Sequence, residues 1–304
     1  MRIATLFAAA VAASSLTLAA APADARAVPD ASPSCVAAEF GVAARGSDPG
    51  PDTRFVSVAE QRQITRTTRA RLRADGIGAK QVAATTATVP VYVHVMAAAD
   101  GTGDVTDQQI TDQIAVLNNS FAGGKSRDAS DTGFSFTLAG VDRYHNDAWH
   151  QDHSSSKYRK ATRQGGADAL NIWLVDFKYL GIATFPWDYA KSPGTDGIRV
   201  NFDSLPGGSI THYNLGETAT HEAGHWFGLY HTFQGGCADP NDEVADTPAQ
   251  AGPTSGCPEG ADTCDLPGLD PIHNFMDYSY DDCYTEFTPG QTTRAQSMWL
   301  AYRG

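Results

Sequence analysis

The chain has 304 residues, 41% of them hydrophobic, and a formal net charge of −13. That length accommodates one or two domains with a sizeable core. The acidity disfavours nucleic acid as a partner, because neutralising phosphate requires basic side chains, and beyond the first 25 residues no segment approaches the roughly 18 apolar residues of a membrane span.

The chain begins with Arg2 and an alanine-rich apolar run from Ile3 to Ala21. The small-residue site Ala23-Asp24-Ala25 follows, so residues 1–25 are predicted to be a secretory signal peptide of an exported protein. A membrane anchor is the alternative, opposed by the lack of basic flanks that would stop transfer. Residues 26–85 are rich in Ala, Pro, Arg and Ser/Thr, with a short helix expected near Val58 to Leu72 and an arginine cluster of Arg62, Arg66, Arg69, Arg71 and Arg73. They are predicted to be a pro-segment or linker rather than a domain.

Regular structure is expected to fill residues 86–304. Val89, Val91, Val93 and Val95 alternate with Pro90, Tyr92, His94 and Met96, the pattern of a strand. Thr106 and Gln109 form a capping box, and Ile110, Ile114, Leu117 and Phe121 behind it give a helix with one apolar stripe. Further strands are predicted at Phe134–Val141, Leu170–Val175, Ile182–Phe185 and Ile198–Phe202, which together indicate an α/β layer. From residue 232 to about 272, Gly, Pro, Asp and Cys dominate and irregular chain is expected. Thr288, Pro289 and Gln291 then open a final helix ending near Tyr302.

The chemistry concentrates in His221-Glu222-Ala223-Gly224-His225-Trp226-Phe227-Gly228-Leu229-Tyr230-His231. On a helix, residues four apart lie one turn apart on one face, so His221 and His225 present two nitrogens to one zinc ion. Glu222 is placed to reach water without being a ligand, which makes it the candidate general base. Gly228 allows the helix to end and the chain to turn, so that His231 completes three ligands and a fourth position stays open. The remaining histidines have no competing ligand spacing, and His150 and His153 are read as solvated. Residues 200–293 contain 15 Asp/Glu and no Lys or Arg. Either this is a solvated acidic surface, or some of its carboxylates hold calcium and others attract a basic substrate.

The extended zinc run followed by His273-Asn274-Phe275-Met276-Asp277-Tyr278 resembles the metzincin signature with its Met-turn. Together with Gly181 to Trp187, His231-Thr232-Phe233, Cys237 and Asp246-Thr247-Pro248, it looks like the pappalysin group, most like compact microbial members such as ulilysin, over roughly residues 88–302. The resemblance implies a metzincin-like zincin domain: a twisted, mostly parallel sheet, a backing helix, an active-site helix and an irregular disulfide-linked C-terminal part. It implies Met276 as a floor beneath the imidazoles and Tyr278 as a phenol near the metal. It pairs Cys237 with Cys264 and Cys257 with Cys283, where spacing alone leaves three pairings open. It further suggests calcium in the loop offering Asp239, Asn241, Asp242, Glu243, Asp246 and Thr247, with Asp242, Asp246 and Thr247 as chief candidates. Asp282, beside Asp281, is the expected carboxylate of a pocket preferring Arg or Lys just after the scissile bond. Cys35, the one cysteine apart from the four, is the expected zymogen switch that would block zinc through its thiolate. The expected protein is thus a secreted zinc-dependent endopeptidase acting on proteins or peptides. A zinc amidohydrolase of small substrates and a zinc-bearing binding module are the alternatives; Glu222 argues against the second.

Overall fold

The computed structural model describes residues 52–304, together with Met1. The predicted signal peptide, residues 26–51 of the predicted pro-segment and Cys35 lie outside the described residues. The alternating valines build β1 (Ala87–Ala97), in which Val89, Val91, Val93 and Val95 are all buried. It pairs in parallel with β2 (Phe134–His145) and with β3 (Leu170–Val175). Beyond β3 lies the parallel β5 (Ile198–Asn201), and at the edge the short antiparallel β4 (Gly181–Ala183), giving the order β2-β1-β3-β5-β4.

Alternation along the central strands separates two cores. Val95, Ile172 and Leu174 face the larger one, while Met96, Trp173 and Val175 face the other. The larger core is closed by α3 (Asp107–Phe121) and α6 (Glu217–Trp226). The capping box at the start of α3 is made in both directions, with Gln109 N donating to Thr106 Oγ1 at 3.2 Å and Thr106 N to Gln109 Oε1 at 3.1 Å. The stripe of Ile110, Leu117 and Phe121 then turns inward, and Phe121 packs against Phe136, Phe227 and Phe287. The opposite core is covered by α4 (Asp147–His150) and α5 (Ser155–Thr162), short helices too brief and too polar to show a period in the sequence. His150, expected in solvent, is instead buried, because its Nδ1 bonds the carbonyl of Met96 at 2.8 Å.

Residues 232–288 contribute no named strand or helix and are tied by the disulfides Cys237–Cys264 and Cys257–Cys283. The last helix, α7 (Pro289–Tyr302), begins with a second reciprocal capping box from Thr288 and Gln291. Just beyond it Arg303 is buried over the ring of Trp226 and paired with Asp196 at 3.0 and 3.1 Å. Against α7 lie α1 (Val58–Ala74) and the short α2 (Ala79–Ala83). Residues 52–83 are therefore docked on the catalytic fold: Ile64 packs with Phe185, Tyr230 and Met298, and Thr68 meets Tyr302 at 3.1 Å.

Candidate active site

All ten residues of α6 are buried, which fits a helix enclosed between the sheet and the irregular C-terminal part. The first two imidazoles meet as the spacing requires, with His221 Nε2 and His225 Nε2 3.1 Å apart. Gly228, at φ +95°, ends the helix: its own N–H bonds His225 O at 2.8 Å, and that of Leu229 bonds Gly224 O at 3.0 Å. The turn returns His231 to the helix, its Nε2 3.0 Å from that of His225. Tautomers are set from behind. His221 Nδ1 donates to Phe275 O at 2.6 Å, and His225 Nδ1 to Leu229 O at 2.8 Å, leaving both Nε2 lone pairs pointed inward.

A fourth group shares this centre. Asp52 is fully buried, with Oδ2 2.9 Å from His221 Nε2, 3.0 Å from His231 Nε2 and 3.7 Å from His225 Nε2. Among the described residues its ion pairs are these three histidines, and its Oδ1 has no hydrogen-bond partner. Inward-facing lone pairs and a buried carboxylate are mutually costly unless a cation lies among them. Three imidazoles and one carboxylate are a donor set that suits zinc. Burial lowers the pKa of His225 to about 4, which keeps that ring a neutral donor.

Glu222 lies beside the centre, wholly buried, with one carboxylate oxygen unpartnered among the described residues. Burial and then the charge of Asp52 raise its pKa well above the usual carboxylate range. Gly181 faces it on β4, and a Cβ there would stand 2.3–2.5 Å from the Glu222 side chain. Beneath α6, Met276 is fully buried, and a Cβ on Gly224 would meet its sulfur at 2.4 Å. Met276 thus packs directly under the helix, and the adjacent Phe275 supplies the carbonyl that sets the His221 tautomer. Tyr278 packs its ring 4.8 Å from His231 and 5.5 Å from His221. Burial, with Asp52 and Glu222 adding to it, raises its pKa and keeps the phenol protonated.

A small pocket beside His221 and Glu222 is lined by Leu180, Tyr213, Thr218, Tyr278, Asp281 and Tyr284. Its carboxylate belongs to Asp281, while Asp282, the residue expected there, is exposed. The reason is local: Asp281 Oδ2 accepts the backbone N–H of Leu215 at 2.8 Å at the entrance to α6, which draws residue 281 inward and turns its neighbour out. Among the described residues Asp281 Oδ1 and the Thr218 hydroxyl are buried without partners, and burial raises the Asp281 pKa to about 7.

The residues expected to hold calcium are not gathered into one cluster. Asp242 is buried and accepts from Val244 N and Thr247 Oγ1, whereas exposed Asp246 accepts from Thr288 Oγ1 and Gly290 N at the start of α7. Capping a helix N-terminus is what draws Asp246 away. Asp52, Gly181 and Gly224 were not singled out for these roles from the sequence. Asp52 lies in a segment with no ligand spacing, and the glycines matter only through side chains distant in sequence.

The family described as Pregnancy-associated plasma protein-A, peptidase family M43, matches residues 172–299. An extracellular metalloprotease of Neurospora crassa is 47% identical over 242 residues, covering 77% of this chain and 81% of that protein. Another from Verticillium alfalfae is 49% identical over 229 residues, covering 72% and 78%. The chain belongs to the M43 (pappalysin) family of metzincin zinc metalloendopeptidases. Among solved structures, mirolysin in complex with a small compound superposes with a TM-score of 0.64 at 30% identity, covering 71% of this chain and 92% of that one. A mutant of Tannerella forsythia promirolysin gives a TM-score of 0.64 at 27% identity and covers 82% and 93%. These matches support the family as a whole, through fungal metalloproteases and mirolysin, and not a particular tie to ulilysin.

Proposed function

We propose that the chain is a secreted, extracellular endopeptidase in which Glu222 is the general base and Asp281 selects a basic residue just after the scissile bond. The observation that carries this reading is the convergence of three Nε2 atoms, that of His225 lying 3.1 Å from His221 and 3.0 Å from His231, with the buried Glu222 carboxylate beside them. His221, His225 and His231 would hold the zinc ion, which when bound supplies Lewis acidity to water and to the peptide carbonyl. Glu222 accepts the proton of the attacking water and passes it to the leaving amine. Tyr278, protonated, donates a hydrogen bond to the developing oxyanion. β4 is the open edge of the sheet and offers main-chain groups to an extended peptide.

The pocket argues for the substrate class. A guanidinium or ammonium entering it would meet a carboxylate oxygen and a hydroxyl that are both buried and unpaired. Residues 26–85 are read as a pro-segment. Promirolysin covers 82% of this chain, against 71% for a structure titled mature mirolysin, and the difference is about the length of the helical segment 52–85. Calcium is proposed for the loop around Asp242, whose pKa is raised to about 7 by burial and would fall on binding a cation. It should raise the melting temperature of wild type but not of Asp242→Asn.

Digestion of a peptide library by the processed protein and its Glu222→Gln variant tests the reading. Cuts before Arg or Lys, reduced roughly 10²–10⁴-fold in the variant, are the expected result. Cuts before apolar residues would remove the role of Asp281, and undiminished cleavage by the variant would remove that of Glu222.

A further inference from the structure

We propose that Asp52 is the ligand that keeps the unprocessed chain inactive, filling the position at the histidine centre that substrate and water must occupy. This rests on the proposed peptidase mechanism and adds its regulation. Geometry carries the assignment: one carboxylate oxygen lies 2.9, 3.0 and 3.7 Å from the three Nε2 atoms, in a site sealed from solvent. The backbone of the same residue also takes a substrate's place, since Asp52 O accepts from Ala183 N on the edge strand β4 at 3.1 Å.

The residues after Asp52 hold it there. Arg54 pairs with Asp188 at 2.7 Å, just past the edge strand, and with Glu60 at 2.7 Å. Val56 is buried with Phe185 and Tyr230, and its carbonyl accepts from Gln234 at 3.1 Å. Next, α1 anchors the segment through Ile64 and Leu72 and through Thr65, whose hydroxyl donates to Glu243 at 2.6 Å. The blocking ligand is thus tethered on both sides of the cleft by contacts that do not involve the metal site. Cutting the chain between α1 and β1 removes the covalent tether, and the segment must then leave before Asp52 vacates the centre.

The test uses the full secreted chain carrying Glu222→Ala, which prevents self-processing, loaded with cobalt(II) in place of zinc. Visible absorption reports the ligand set, and titration with acetohydroxamate reports access to the metal. The Glu222→Ala chain should bind acetohydroxamate at least tenfold more weakly than the same chain with Asp52→Ala, and the cobalt spectrum of the latter should shift as an outer ligand is admitted. Asp52→Asn, which keeps the shape and removes the charge, should fall between them, and a thermal melt checks that each variant is folded. Equal acetohydroxamate affinity with and without Asp52 would overturn the proposal, as would opening of the site by Cys35→Ser while Asp52→Ala leaves it closed. Failure of the peptidase reading looks different: cobalt would then not bind at the histidines in any variant, and the processed wild-type chain would not cleave casein.

Discussion

Single residues at this site are constrained by what lies opposite them, which makes glycine as informative as histidine. Gly224→Ala would drive a methyl group to within 2.4 Å of the Met276 sulfur, beneath the helix that carries two of the imidazoles. Overpacking of this kind costs about 1–3 kcal/mol, so thermal unfolding should show a lowered midpoint, and competition with a chromogenic chelator a weakened hold on zinc. The pocket residue Asp281 yields a pH prediction. Burial raises its pKa to about 7, so the carboxylate is largely protonated below that value and ionised above it. Only the ionised form pairs with a basic side chain, so the ratio of kcat/KM for an Arg substrate over its Ala counterpart should rise as pH increases from 6 to 8. In Asp281→Asn the ratio should fall by roughly ten- to hundredfold, the worth of a hydrogen bond to a charged group, and stay flat with pH; a ratio that still climbs would transfer the role to another group. At this scale the three histidines, Glu222, Met276 and Tyr278 were legible because they stand within short motifs. Asp281 and Asp282 were not separable, since the choice between them is made by the N–H of Leu215, far away in sequence.

Elements were legible wherever a period or a cap announced them. The valine alternation of β1 and the capping boxes of α3 and α7 stand where the sequence puts them. β4 is shorter than expected, ending at Ala183, because Pro186 begins a tight turn almost at once. Helices α4 and α5 gave no signal, for one turn or two of polar residues have no period to read. α1 was expected as a helix but not as a docked one; its anchor residues Ile64, Thr68 and Leu72 sit among arginines that dominate the sequence pattern. The irregular C-terminal part depends on covalent ties in place of periodic packing. The disulfide Cys257–Cys283 joins the loop after the third histidine to the chain carrying Asp281. Replacing both cysteines by alanine should cost about 2–5 kcal/mol, measured by denaturant unfolding, and should raise KM for basic substrates more than it lowers kcat. An unchanged KM would show that the pocket is held by its hydrogen bonds alone.

On the scale of the molecule, the chain is a peptidase fold with its own N-terminal segment laid across the cleft. The sheet supplies a rigid back wall, α6 and its exit turn bring three imidazoles together, and Met276 packs beneath the helix. Residues 52–83 cover it from the front and place a carboxylate where reacting groups belong. The whole depends on one cation bound by His221, His225 and His231. The most direct measurement is a zinc titration of the processed protein after complete removal of metal, with casein cleavage as the readout. The account predicts no cleavage in the stripped protein, recovery that saturates at one zinc per chain, and no recovery at any zinc concentration in His225→Ala. Full cleavage by the stripped protein, or zinc-restored cleavage in His225→Ala, would contradict it.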